Sequence, residues 1–229
     1  MPIDDALAQL GPSIKYPKIE PTSTSGSYIF LPENEYHKDL LVSKERKYFG
    51  EIQQEAHKEL NIDDSYMLTI RQFVDFLKLL KSGNVYDENR NNKISDKEIE
   101  LILDDILAQK NPYRAEWLDA RFETIREHLC LIDHFFYEGI KSESTEILED
   151  CLMQDKTPGI DLNYWLNNAN FQGLPPKNTP DGKLYYHFPK KGTVARFGAC
   201  SVGVVLVCCG VPLVSNPGLG VRPVKILKP

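Results

Sequence analysis

Through the first two thirds of the chain, apolar residues recur at intervals of three and four, and beyond that they lose this spacing. Tyr28, Ile29, Phe30 and Leu31 form a short apolar run closed by Pro32, which predicts a strand. Residues 35–60 are densely charged, with helical spacing through Tyr36, Leu40 and Leu41. The strongest helix is predicted over residues 67–80. Thr69 is placed to cap it, and Ile70, Phe73, Val74, Leu77 and Leu80 make one apolar face. Ser82, Gly83 and Asn84 break that pattern. A second helix is predicted over about 96–108, striped by Ile99, Ile102, Leu103 and Ile106. A third is predicted over about 112–137, striped by Trp117, Leu118, Phe122, Ile125, Leu129, Ile132 and Phe136. Stripes of this kind are core faces first. His128 and His134, six apart, do not share a helical face and read as structural.

After about residue 158, Gly, Pro and Asn become frequent and β-branched and aromatic residues replace Leu and Glu. Residues 174–182 must be loop, with Asp181 and Gly182 turning into a strand at Leu184, Tyr185, Tyr186, His187 and Phe188. The predicted class is α+β: a strand and helices over 28–157, then a small antiparallel sheet with long loops over 158–229, in one domain. The N-terminal strand is available to pair with the C-terminal one. Residues 1–27, rich in Pro, Ser and Thr, are expected to form an extended segment.

Composition narrows the partners. The net charge is -6 and no Lys/Arg cluster stands out, which argues against nucleic acid. The N-terminus lacks a basic region followed by an apolar stretch, so no secretory signal is visible and the cytoplasm is the default expectation. The five cysteines, Cys130, Cys151, Cys200, Cys208 and Cys209, are odd in number and irregular in spacing. They read as reduced thiols, not a disulfide framework, and no CxxC pair with nearby His suggests zinc.

Residues 87–98 fit an EF-hand loop on paper, with Asp87, Asn89, Asn91, Ser95 and a bidentate Glu98 as oxygen donors and the Lys93 carbonyl between them. Gly83 interrupts the helix that should enter it, and two carboxylates make a weak site. The competing reading is a polar hairpin turn between Val85 and Ile94, followed by a capping box from Ser95 to Glu98. The latter is favoured. Searches for GxSxG, GxxxxGK[ST], HExxH and GxGxxG find none, and no basic neighbour in sequence activates Cys208 or Cys209. No enzyme activity and no cofactor are expected.

Between Arg196 and Arg222 there is no charged residue. A transmembrane helix needs about 20 apolar residues; this stretch carries Gly203, Gly210 and Pro212 and is rich in Val, so a membrane span is not expected. A buried strand pair is more natural.

A third explanation comes from resemblance. Ala195, Arg196 and Phe197, then Leu206, Cys208, Pro212 and Ser215, and finally Leu219, Gly220, Val221, Arg222, Pro223 and Val224 resemble the C-terminal end of a known group. These are the variable proteins of diversity-generating retroelements, archaeal ones among them, with the C-type lectin fold of the formylglycine-generating-enzyme type. In that group adenine-directed mutagenesis randomises positions near the end of the gene, giving residues that exclude Lys, Glu, Gln, Met and Trp. Residues 197–221 stay within that set. The resemblance implies a C-type lectin-like fold and a ligand-binding surface for an unknown protein or cell-surface ligand. Leu206, Cys208, Pro212 and residues 219–224 would be frame. Val202, Gly203, Val205, Val207, Cys209, Gly210, Val211, Leu213, Val214, Asn216 and Gly218 would be variable and solvent-facing.

Overall fold

The computed structural model describes residues 26–137 and 140–227, and the side chains of 135–141 are not considered; most of the expected N-terminal segment thus lies outside the described residues. In chain order the elements are β1 Tyr28–Leu31, β2 Leu40–Ser43, α1 Gln53–Ile62, β3 Tyr66–Met67, α2 Ile70–Ser82, β4 Tyr86–Asp87 and α3 Asp96–Leu107. They continue with β5 Arg114–Ile125, β6 His128–Tyr137, β7 Ile140–Ile147, β8 Lys156–Ile160, α4 Leu162–Asn168 and β9 Leu184–His187. The last are β10 Thr193–Cys200, β11 Gly203–Gly210, β12 Leu219–Val221 and β13 Pro223–Ile226. The class is α+β, with four helices and two sheets among the described residues, and mostly β.

The smaller sheet runs β3-β13-β2-β1-β4. The N-terminal strand and the last strand therefore share a sheet without pairing directly, since β2 lies between them. The larger sheet runs β7-β6-β5-β10-β11-β9-β8, with β12 added parallel to β5. Between the two sheets lies the main core. Ile29, Leu40, Val42 and Val224 come from the small sheet, Phe73, Val74 and Leu77 from α2, and Leu118, Phe122, Phe197, Leu206 and Cys208 from the large one. On the other face of the large sheet, Ala56 and Leu60 of α1 pack against Ala115, Trp117, Val194, Leu219 and Val221.

Two helices follow the sequence pattern closely. Thr69 caps α2 by accepting from the Gln72 amide while Gln72 returns a bond to the Thr69 amide, and Gly83 ends the helix at φ +67°. Ser95 caps α3. Two other expectations are corrected. Leu40 and Leu41 lie in β2, and the helix of that region begins only at Gln53. The third helix is instead the hairpin β5–β6. From Arg114 to Ala120 every residue is buried, because the main core takes one face and α1 and β12 take the other. A strand buried on both faces loses polar alternation, and its apolar residues fell by chance on helical spacing. The hairpin turn, Arg126 and Glu127, holds φ of 47° and 70°, a conformation usually announced by Asn or Gly.

The sheets are joined at one end by a buried ionic cluster. Glu116, fully buried on β5, accepts from Arg114 at 2.8 Å and from Nε of Arg222 at 3.0 Å. Arg222, between β12 and β13, also donates to the Ser43 carbonyl at 3.0 Å and lies over the Phe76 ring. Arg46 donates to the carbonyls of Ala115 and Gly218, both at 2.8 Å. Burial, with Arg114 alongside, pulls the Arg46 guanidinium down to about 10. Residues 219–224, expected as frame, are therefore held by one charge cluster and two sheets.

Candidate functional site

The uncharged segment folds as the end of β10, all of β11, a loop at 211–218 and β12. Cross-strand pairing sets which side chains share a face. Val205 lies opposite Gly198 on β10 and Tyr185 on β9, and Val207 lies opposite Arg196 and His187. That face of the sheet points away from the main core. Leu206 and Cys208 point into the core and are fully buried, as are Leu219 and Val221.

The eleven positions expected to be variable divide. Val202, Val211 and Leu213 are 66 %, 57 % and 72 % exposed. Val205, Cys209, Val214, Asn216 and Gly218 are half-buried. Gly203, Val207 and Gly210 are buried, which corrects the expectation that they face solvent. Gly203 sits at φ +149°, and a Cβ there would come within 2.9 Å of the Tyr185 ring. Val207 is 9 % exposed between its cross-strand neighbours Arg196 and His187. Gly218 is partly exposed, yet a Cβ there would meet the Tyr113 carbonyl oxygen at 1.9 Å, so its backbone tolerates no side chain.

The loop is held by the rest of the fold. The Ser215 hydroxyl donates to the Gly50 carbonyl, Asn216 accepts from the Gly218 amide at 2.8 Å, and Val221 exchanges backbone bonds with Lys47. Val214 packs against the second core cluster. Exposed Val211 and Leu213 are carried between these anchors.

A guanidinium enters this face. Arg196 on β10 places its guanidinium 6.0 Å from the centre of the Trp117 ring, and its Nε is buried without a hydrogen-bond partner. No carboxylate pairs with it among the described residues. Cys209 is close enough to feel both Lys190 and Arg196, but burial outweighs them and pushes the thiol up, away from reactivity. Cys208, wholly buried, is pushed up further.

The calcium-loop residues serve a turn. The Asp87 carboxylate accepts from the amides of Asn89, Asn91 and Asn92 at 3.1–3.3 Å and from the Asn92 side chain at 2.7 Å. Tyr86 bridges to Lys93, and Val85 and Ile94 are buried beneath. Ser95 caps α3, and Glu98 pairs with Lys44 at 2.8 Å. Asn89 and Asn91 are exposed. The hairpin-and-cap reading describes this segment.

One grouping had no sequence signal. His57 on α1, Asp119 on β5 and His134 on β6 bring their ligating atoms within 4.8 Å of one another, and they are the only such group of His, Cys, Asp or Glu among the described residues. His134, read as structural, continues the β5–β6 register two residues beyond the Arg121–Ile132 pair, which places it opposite Asp119. Its Nδ1 lies 2.9 Å from Asp119, and its amide donates to the same carboxylate at 3.0 Å. His57 Nε2 lies 3.3 Å from Asp119. Asp119 is 2 % exposed; burial opposes its ionisation, but the bonds from His134 and His57 prevail and hold its pKa below the ordinary value. His128, by contrast, lies exposed at the hairpin turn.

A hollow of about 350 Å³ opens beside that turn between Glu127, His128, Ile147 and Asp150; its thiol, Cys151, is pushed up to about 11 by burial. Comparison with family models, with curated proteins and with solved structures finds no match to this chain. Among the described residues no helix is long and apolar enough to cross a membrane.

Proposed function

We propose that this chain is a ligand-recognition protein of C-type lectin-like fold, whose face around β10, β11 and the 211–218 loop is diversified by a retroelement. The observation that carries the reading is the division of burial within one uncharged stretch. Leu206, Cys208, Leu219 and Val221, expected as frame, are fully buried, while Val202, Val211 and Leu213, interleaved with them, hold large aliphatic side chains out to water. Val211 and Leu213 are exposed together in the loop that follows β11, and paired aliphatic side chains held out to water support a contact surface there, with Val202 at the opposite end of the strand. A scaffold of sheet with loops anchored at both ends is the arrangement on which side chains can change without disturbing a core. Arg196 adds a guanidinium to this face, so the ligand meets both apolar contact and a positive charge.

The revised diversified set is Val202, Val205, Cys209, Val211, Leu213, Val214 and Asn216, since sterics or burial hold Gly203, Val207, Gly210 and Gly218. Sequencing the DNA flanking the gene tests the reading. A near-identical repeat of the segment encoding residues 197–221, differing at adenines whose codons map to those seven positions, is expected. A flank with no such repeat, or one whose differences fall on Leu206, Cys208 and Leu219, would overturn it.

A further inference from the structure

We propose that His57, Asp119 and His134 form a binding site for a divalent transition-metal ion of the zinc class, separate from the recognition face. Three different elements deliver the donors. His57 stands on the same side of α1 as Ala56 and Leu60, which pack on the sheet, and Asp119 and His134 stand on adjacent strands. Two imidazole nitrogens and one carboxylate oxygen are the donor set that first-row transition metals take from proteins. The carboxylate lies 2.9 Å and 3.3 Å from the two ring nitrogens, and with all three ligating atoms within 4.8 Å of one another, small side-chain shifts bring them onto one ion.

The charge balance argues the same way. Asp119 is buried, yet no Lys or Arg among the described residues pairs with it; its side-chain partners are the two imidazoles and the His134 amide. A buried carboxylate is costly without a cation, and the two rings stand 4.9 Å apart beside it. A metal ion held by the two ring nitrogens and the carboxylate supplies that cation. The ring edges are 15 % and 22 % exposed, so an ion can enter from solvent, and three protein donors leave at least one coordination position to water.

The test is isothermal titration of zinc chloride into the untagged, chelator-stripped full chain, repeated with cobalt(II) to read its visible absorption bands. One ion per chain with a dissociation constant of micromolar or tighter is expected, with a rise in Tm. His57→Gln and His134→Gln should each weaken binding at least tenfold and abolish the cobalt bands, while both remain folded by circular dichroism. Cys200→Ser/Cys209→Ser, which removes the half-buried thiols, should bind as the parent does. Absence of saturable binding, or binding lost in the serine variant and kept in both glutamine variants, would overturn the proposal.

Discussion

Glu116 and Arg222 lie 106 positions apart in the chain and meet side by side, carboxylate oxygen to guanidinium Nε at 3.0 Å, each about 1 % exposed. That contact sits where the chain leaves the large sheet for the small one. Removing the charge by Glu116→Gln leaves Arg114 and Arg222 only the half-exposed Asp105 as a carboxylate partner, and the expected cost is about 3 kcal/mol, the low end for a broken buried pair. Urea denaturation at neutral pH measures it. A loss below about 1 kcal/mol would show that the two arginines find other partners.

Acid should weaken the same junction. Burial alone would raise the Glu116 pKa, but Arg114, Arg222 and Arg46 outweigh it and the folded value falls below the ordinary 4.5. Asp75 behaves alike: burial opposes, and the bonds from His37 and Arg71 prevail. For a depressed carboxylate, the stabilisation is present above the unfolded pKa and disappears as pH drops through the folded one. Tm should therefore be level near neutrality and decline below about pH 4.5, with a shallower decline in Glu116→Gln. An equal slope in the variant would remove Glu116 from the account.

Exposure divides the uncharged segment into tolerant and intolerant positions. Val202→Ser, Val211→Ser and Leu213→Ser should each change stability by less than about 0.5 kcal/mol. Leu206→Ala, within the same stretch, should cost about 2–5 kcal/mol through its cavity. Thermal melts of the four variants decide this, and a large loss at Val211 or Leu213 would mean that the loop is part of the core.

Gly218 is a position where the backbone itself is the constraint. Gly218→Ala drives a methyl into the Tyr113 carbonyl, and a loss of about 1–3 kcal/mol is expected from the strain. The same change at Gly192, where a Cβ would meet nothing within 4 Å, tests φ strain without the clash. A smaller loss at Gly218 than at Gly192 would contradict the steric argument.

Arg196 holds a buried Nε that nothing satisfies. Arg196→Met keeps the stem against Trp117 and removes that donor, so stability should rise by about 1 kcal/mol. A native protein that retains a destabilising group on an exposed face does so at a site of use. If the methionine variant is less stable, the guanidinium is a structural member of the sheet.

What could be read in advance depended on where one face met water. The α2 stripe from Ile70 to Leu80 and its Thr69 cap were legible because the helix has one wet side and a local capping bond. The β1 run was legible because Pro32 punctuates it. Trp117, Leu118 and Phe122 were misread because β5 is buried on both faces, and the turn at Arg126 and Glu127 uses no turn residue. The same error hid the histidine cluster: on a helix His134 faces no partner, but on β6 it stands opposite Asp119. His57 was beyond local reading altogether, since only the packing of α1 on the sheet brings it near. In the uncharged segment, Gly203, Gly210 and Gly218 looked like freely sampled residues. Their fixity arises from backbone that passes close by from Tyr113, Val194 and the Tyr185 ring.

The position of β13 governs the order in which the molecule can be completed. β2 takes β1 on one side and β13 on the other, and β13 also supplies the partner for β3. Until residues 223–226 have left the ribosome, β2 therefore presents an open edge, and β3 has no strand to join. The Glu116 carboxylate likewise waits for Arg222, more than a hundred residues downstream. Contacts of such separation are slow to close and leave sheet edges available to other chains meanwhile. A chain stopping short of Arg222 is thus expected to leave the β2 edge open to pairing with other chains, and β13 works as the latch that ends that exposure.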